Sequence, residues 1–464
     1  MTDVTTYDLT DVGNAERFSN RYKDKWMYVP EVGRWYIFEN HCWHPDHLSK
    51  IVLSGIEVTR DMMKEAAAFK ARAAEERDKT VSEILNKKGE VLGRHALATQ
   101  QKVRIESMIR LAQPMLARSA TLLDSDDMLL GVKNGVINLS NGVFRDGRQE
   151  DLITLQTDVA WASKYEDCPM WIAFLESVQP DQEVRLWLQK FVGYLMSGLT
   201  TEQIFVVFLG DGANGKSVFV EVIKAVMGSY AKTIQFSSFS SGNKASVRND
   251  LAGLVKARMV SANEGGIDTQ LDEGLIKQLT GGDTLSARFL FKEYFSFKPN
   301  FKIVLTSNHA PRIYGRDHGI WRRLVVVTWG VTIPAEKQDR QLTTKLLKEA
   351  SGILAWAVRG TQMWLREGLK DRPYSISEAS ELFKEEQDLI GQWLTECCKL
   401  QPNAFTASKH IYVSYTNWAQ KHGYILLSQK ALAMRLQARG MVHGKQGDWG
   451  WRGLLVAGEG REEL

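Results

Sequence analysis

Cysteine is scarce. Cys42, Cys168, Cys397 and Cys398 are the only four in 464 residues, and they show no paired metal-ligand spacing. That usage argues against a disulfide-stapled scaffold and predicts free thiols in a reducing, cytoplasmic setting. His41, Cys42, His44 and His47 lie close together but fit no standard zinc-finger spacing. No apolar run approaches the ~20 residues that a membrane-spanning helix needs, so no membrane partner is expected. The polar, acidic stretch at the N-terminus predicts no secretory signal. Internal repeats and low-complexity tracts are lacking. Strong net charge is lacking too: +4 overall is too mild to establish nucleic-acid binding, which depends on a local basic surface. With 44% hydrophobic and 25% charged residues, the composition is that of an ordinary globular chain, long enough for two to four domains.

The most informative segment is Val206-Val207-Phe208-Leu209-Gly210-Asp211-Gly212-Ala213-Asn214-Gly215-Lys216-Ser217. A buried strand feeds directly into G-x-x-x-x-G-K-S, and helical spacing follows over 218–227. Phosphates concentrate negative charge, and a glycine-rich loop brings backbone N–H groups close to them while the helix behind adds its positive end. In that reading residues Gly210 to Ser217 bind the nucleoside triphosphate, with Lys216 on the outer phosphates and the Ser217 hydroxyl on Mg2+.

Hydrolysis needs more: an acid for metal and attacking water, a polar group for the γ-phosphate, and positive charge for the transition state. Candidates follow in order. Arg258-Met259-Val260-Ser261-Ala262-Asn263-Glu264 reads as a strand ending in a carboxylate, so Glu264 is the expected activator of water and a second Mg2+ contact. Phe301-Lys302-Ile303-Val304-Leu305-Thr306-Ser307-Asn308 is another apolar strand, and Asn308 at its end is the expected γ-phosphate sensor. The adjacent Arg322 and Arg323 open a further apolar run; one of them, preferably Arg323, suits an arginine finger reaching a neighbouring subunit.

These motifs resemble the superfamily 3 helicases, a branch of the AAA+ ATPases, and above all the helicase portion of phage and plasmid primase-helicases and their poxvirus relatives. The loop ends in the Asn-Gly-Lys-Ser form of that group. Ile276-Lys277-Gln278-Leu279-Thr280-Gly281-Gly282-Asp283 with Ser286-Ala287-Arg288-Phe289-Leu290-Phe291-Lys292 is similar to its B′ motif. The resemblance runs from about residue 25 and is most specific over 200–330. It implies an α/β fold: an AAA+ P-loop core, a mainly helical N-terminal region and a winged-helix-like C-terminal domain. The expected organisation is an aromatic β module with a charged helical region (1–150), a helical collar (151–200), the ATPase core (201–345), a helical linker (346–374) and the C-terminal domain (375–464).

The resemblance further implies a DNA helicase using ATP and Mg2+, moving 3′ to 5′ on single-stranded or forked DNA during replication of a phage, plasmid or mobile element. A homo-oligomer, most simply a hexamer, would complete each ATP site in trans, with Lys277 and Arg323 contacting the neighbour's phosphates. The B′ segment would form a β-hairpin in a central channel, its strands at 285–290 and 294–297, with Phe291 and Lys292 at the DNA-facing tip. Asn263 stands where many relatives carry a second acid, which shifts the expected metal contacts towards Ser217 and water. No primase half is visible before residue 150, so primer synthesis is expected from a separate primase or polymerase. In the C-terminal domain Lys409, Lys421, His422, Lys430, Arg435, Arg439 and Lys445 are candidates for gripping duplex DNA, whereas Trp393, Trp449 and Trp451 are expected in its core. Two other readings stay open: an origin-binding or helicase-loading ATPase without processive unwinding, and a small-molecule kinase, which the B′ segment and paired arginines disfavour.

Overall fold

The computed structural model describes residues 7–241, 249–263, 270–288, 294–313, 318–424 and 426–456. The chain begins with helix α1 (Asp11–Tyr22) and an antiparallel sheet of β1 (Trp26–Val29), β2 (Arg34–Glu39) and β3 (Cys42–Pro45). The aromatic segment forms hairpins because alternate residues point inward: Trp26, Trp35 and Ile37 bury against Phe18 and Tyr22 of α1. Three long helices follow, α2 (Lys50–Glu75), α3 (Lys79–Thr99) and α4 (Lys102–Ala112). Their charged faces stay in solvent while Val58, Met62, Leu92, Ile105 and Met108 join the same core. A small sheet of β4 (Leu129–Val132), β5 (Gly135–Asn138) and β6 (Val143–Arg145) comes next, then the aromatic-rich helices α5 (Pro169–Val178) and α6 (Gln182–Met196).

The central unit is a five-stranded parallel sheet. Its strands are β7 (Phe205–Leu209), β8 (Ala231–Gln235), β9 (Met259–Asn263), β12 (Lys302–Ser307) and β13 (Leu324–Thr328), in the order β13-β7-β12-β9-β8. Between them lie α7 (Lys216–Met227), α8 (Asn249–Ala252), α9 (Glu273–Gly281), the antiparallel pair β10 (Leu285–Ala287) and β11 (Phe295–Phe297), and α10 (His318–Trp321). Strands covered on both faces read as apolar runs; β7, β12 and β13 carry such runs, whereas the edge strand β8, Ala-Lys-Thr-Ile-Gln, does not. Val206, Phe208, Val304, Val325 and Val327 face α5, α6, α7 and the later helix α12 (Ala350–Glu367). Phe205, Val207, Ile303, Leu305, Leu324 and Val326 face Leu275, Ile276 and Leu279 of α9 and Phe239. The free edge of β13 is covered by α13 (Tyr374–Glu386), where the Val326 N–H donates to Ser380 Oγ at 3.0 Å. Short α11 (Leu342–Leu346) precedes α12.

The chain ends in a separate core. Helices α14 (Leu389–Cys397), α15 (Ser408–Lys421) and α16 (Gln429–Gln437) pack on an antiparallel sheet of β14 (Cys398–Ala407), β15 (Val442–Gln446) and β16 (Asp448–Val456), ordered β14-β16-β15. Trp393, Tyr415, Trp418 and Trp451 fill it. Trp393 and Trp451 are buried as expected, but Trp449 is 59% exposed, contrary to the expectation that it packs inside. It lies near the turn of the β15–β16 hairpin.

Candidate functional site

The glycine-rich loop leaves the C-terminal end of β7 and enters α7 at Lys216. Gly212, Ala213 and Gly215 all hold positive φ, at 97°, 47° and 85°. Backbone of this class forms the concavities that bind anions through N–H groups. Gly215 is the N-cap of α7 and has no side chain to cap it, which leaves first-turn amides available to a ligand. The loop is held from below. Asn214, 3% exposed, donates from Nδ2 to the Trp329 carbonyl at 3.0 Å, and the Ile333 N–H donates to the Ala213 carbonyl at 2.8 Å. An aromatic cluster of Trp171, Phe208, Phe219 and Trp329 supports it, with ring centroids 5.4–5.6 Å apart.

Lys216 is 5% exposed; its Nζ donates to the Gly210 carbonyl and to Asn308 Oδ1 at 3.1 Å. The sheet order explains the second contact. Strand β12 lies between β7 and β9, with Ser307 opposite Leu209 and Thr306 opposite Asn263. Asn308 therefore emerges beside the loop, and Thr306 Oγ1 donates to Asn263 Oδ1 at 2.9 Å. A cavity of about 330 Å3 is lined by residues 212–218, Asn263, Thr306, Ser307 and Asn308. Ser217 is exposed on its wall. The structure thus brings the loop, Lys216, Ser217, Asn263 and Asn308 together. Glu264, Phe291 and Lys292 lie outside the described residues. On the β13 side of the loop is a second cavity of about 350 Å3, lined in part by Gln179, Val184, Thr328, Val331 and Ile376.

Lys277, Arg322 and Arg323 stand elsewhere. Lys277 is half-buried on α9. Both arginines precede β13 at the N-terminal edge of the sheet, opposite the loop; one five-residue strand puts about 16 Å between the two edges. Arg323 is 8% exposed and its Nη1 donates to the Gly319 carbonyl at 2.6 Å. Arg322 is exposed and donates to Gln203 Oε1 at 2.9 Å. Of the two, Arg322 is the one on the surface.

Two cations that the sequence reading left without a role anchor the same edge. Arg258 donates to the Met196 and Leu129 carbonyls at 2.6 and 2.7 Å, over the Tyr230 ring at 4.3 Å. Lys302 donates to the Ser197 carbonyl beside the Tyr194 ring at 4.8 Å. Burial, reinforced by Arg258, pushes the Lys302 ammonium well below its ordinary range. Both satisfy carbonyls at the C-terminus of α6, where cations also oppose the helix dipole. The available signal was a cation placed directly before an apolar strand.

Residues 15–180 match a family model described as "D5 N terminal like", and residues 208–323 match a "Family of unknown function (DUF5906)". Relatives include "Putative helicase L207/L206" of Acanthamoeba polyphaga mimivirus, 30% identical over 59% of this chain and 31% of that protein. "Putative helicase 022R" of Frog virus 3 is 23% identical over 74% of this chain and 44% of its own length. "Putative primase C962R" of African swine fever virus (strain Badajoz 1971 Vero-adapted) is 26% identical over 66% and 35%. The chain thus spans less than half the length of these relatives. Among solved structures, the A form apo structure of the NrS-1 C terminal region aligns with a TM-score of 0.50 at 11% identity, covering 96% of this chain and 98% of that one. That likeness concerns the fold. Over these two segments the chain is thus similar to the D5 N terminal like and DUF5906 families, and it is homologous to viral proteins bearing helicase and primase names.

Proposed function

We propose that this chain is an ATP-dependent DNA helicase of replication, with an AAA+ core of the superfamily 3 kind. The observation that carries the reading is the junction of Lys216 and Asn308 at 3.1 Å, made by inserting β12 between the loop strand and β9. A buried cation, left-handed loop backbone and a helix N-terminus fit a phosphate chain, and Asn308 stands where the terminal phosphate would lie. The viral relatives' names support the replicative role.

ATP with Mg2+ supplies the phosphoryl group and the charge neutralisation that make hydrolysis possible. Within the chain, the loop amides and Lys216 would orient the phosphates and the Ser217 hydroxyl would hold the metal, while Glu264, outside the described residues, is proposed only as the acid that activates water. Thr306 fixes the Asn263 amide beside that point. The second cavity, on the β13 side, suits the nucleoside.

Neither arginine reaches its own loop, so a finger role requires a neighbouring subunit, and Arg322 has the exposure for it. This favours a ring, in its simplest form a hexamer, that draws single-stranded DNA past the β10–β11 hairpin. The C-terminal helices and three-stranded sheet fit the winged-helix-like expectation. Measuring ATP turnover with and without single-stranded DNA tests the proposal. Stimulation in the wild type and its loss in Asn308→Ala, with nucleotide still bound, are expected; turnover indifferent to both DNA and Asn308 would refute it.

A further inference from the structure

We propose that the β15–β16 hairpin is a stacking platform for an unpaired DNA base, with Trp449 as its face and Lys445 as its phosphate contact. All fourteen tryptophans lie among the described residues, and Trp449 alone is mostly exposed. The other thirteen are buried or, like Trp321, half-buried, so this ring leaves in water apolar area that the chain removes from water at every other indole.

The ring is also held in place. His443 and Trp449 stack with centroids 5.3 Å apart and planes 15° from parallel, and His443 also meets buried Trp451 at 4.7 Å with planes tilted by 49°. His443 Nε2 lies 3.0 Å from Ser408 Oγ at the start of α15. The three rings form a ladder from the domain core to its tip, so the outermost is presented without a large entropy cost on binding.

The register selects the ligand. Lys445 pairs directly with Trp449, so an exposed ammonium and an exposed indole share one face of the hairpin. A flat π-face beside a cation matches a base joined to its phosphate. Duplex DNA shows base edges in its grooves and hides base faces, which restricts this contact to single strands and opened ends.

The inference rests on the DNA-helicase reading, and the test separates the two. Full-length protein is titrated into a fluorescein-labelled oligothymidylate and into a hairpin-capped duplex without free ends. Trp449→Ala should weaken single-strand binding about 5- to 100-fold, with Trp449→Phe restoring most of it. Lys445→Ala should lower the salt dependence by about one counterion. DNA-free ATP turnover and oligomeric mass should stay unchanged in Trp449→Ala. Wild-type binding by Trp449→Ala, no rescue by phenylalanine, equal loss on the capped duplex, or a change in mass instead of affinity would each overturn the platform while leaving the helicase reading intact. A wild-type protein that binds no DNA would overturn both.

Discussion

Gly215 and Gly212 both need left-handed backbone, at φ 85° and 97°, but only one is crowded. A Cβ at Gly215 would stand 2.7 Å from Val178 Cγ1 and 3.2 Å from Phe174 Cε2, whereas a Cβ at Gly212 would meet nothing within 4 Å. Alanine at either position carries a backbone penalty of roughly 1–2 kcal/mol. At Gly215 overpacking adds about 1–3 kcal/mol. If the loop conformation is what binds phosphate, the whole penalty appears in nucleotide affinity. Gly212→Ala should then weaken binding about 5- to 30-fold, and Gly215→Ala, at about 2–5 kcal/mol, by about 30-fold or more. Combining Gly215→Ala with Val178→Ala removes the nearest colliding atom and should recover part of the loss, a coupling of roughly 0.5–3 kcal/mol. Equilibrium binding of a fluorescent ATP analogue, with circular dichroism as a folding control, reads all three. Equal affinities for the two single variants, or no coupling with Val178→Ala, would refute the reasoning that α5 shapes the loop.

Asn308→Ala should lower the hydrolysis rate about 10²- to 10³-fold, the loss typical of one preorganised polar group; measured at saturating ATP, an unchanged rate would remove Asn308 from the site. Arg322→Ala should abolish cooperative turnover while leaving the melting temperature alone, whereas Arg323→Ala, which removes a buried guanidinium bonded to the Gly319 carbonyl, should lower the melting temperature. Equal effects of the two on thermal melts would contradict the difference in burial. Burial, with Asp124 nearby, pushes the Cys42 thiol up from 9.0 to about 12. A raised folded pKa keeps the neutral thiol in the native state, so its stabilising contribution is present below pH 9 and is lost as pH rises towards 12. Melting curves should fall across that window by at most about 1.4 kcal/mol per pH unit from this group, and less steeply in Cys42→Ala.

How far the sequence revealed this arrangement depends on the kind of signal. The loop strand, α7, β9, β12 and β13 were legible because a sheet covered on both faces writes itself as short continuous apolar runs. The Lys216–Asn308 junction was legible only as a role, since strand order decides which strand ends meet. Trp449 was misread because period two places it on the same strand face as Trp451; only the tertiary fold shows that the core ends one pair earlier. Which of Arg322 and Arg323 points inward was not legible: a one-residue step turns the Arg323 guanidinium inward, where its Nη2 lies 3.6 Å from the Cβ position of Gly281. Arg258 and Lys302 went unread because their partners are backbone carbonyls, which leave no mark in a sequence.

The proposal that subunits share ATP sites is tested most directly by unwinding a forked duplex with mixtures of wild-type and Arg322→Ala protein at fixed total concentration, with ATP and Mg2+. With sites shared between subunits, the rate should fall faster than the wild-type fraction, because one altered subunit disables its neighbour's hydrolysis. A strictly proportional fall, with each wild-type subunit working as though alone, would contradict it.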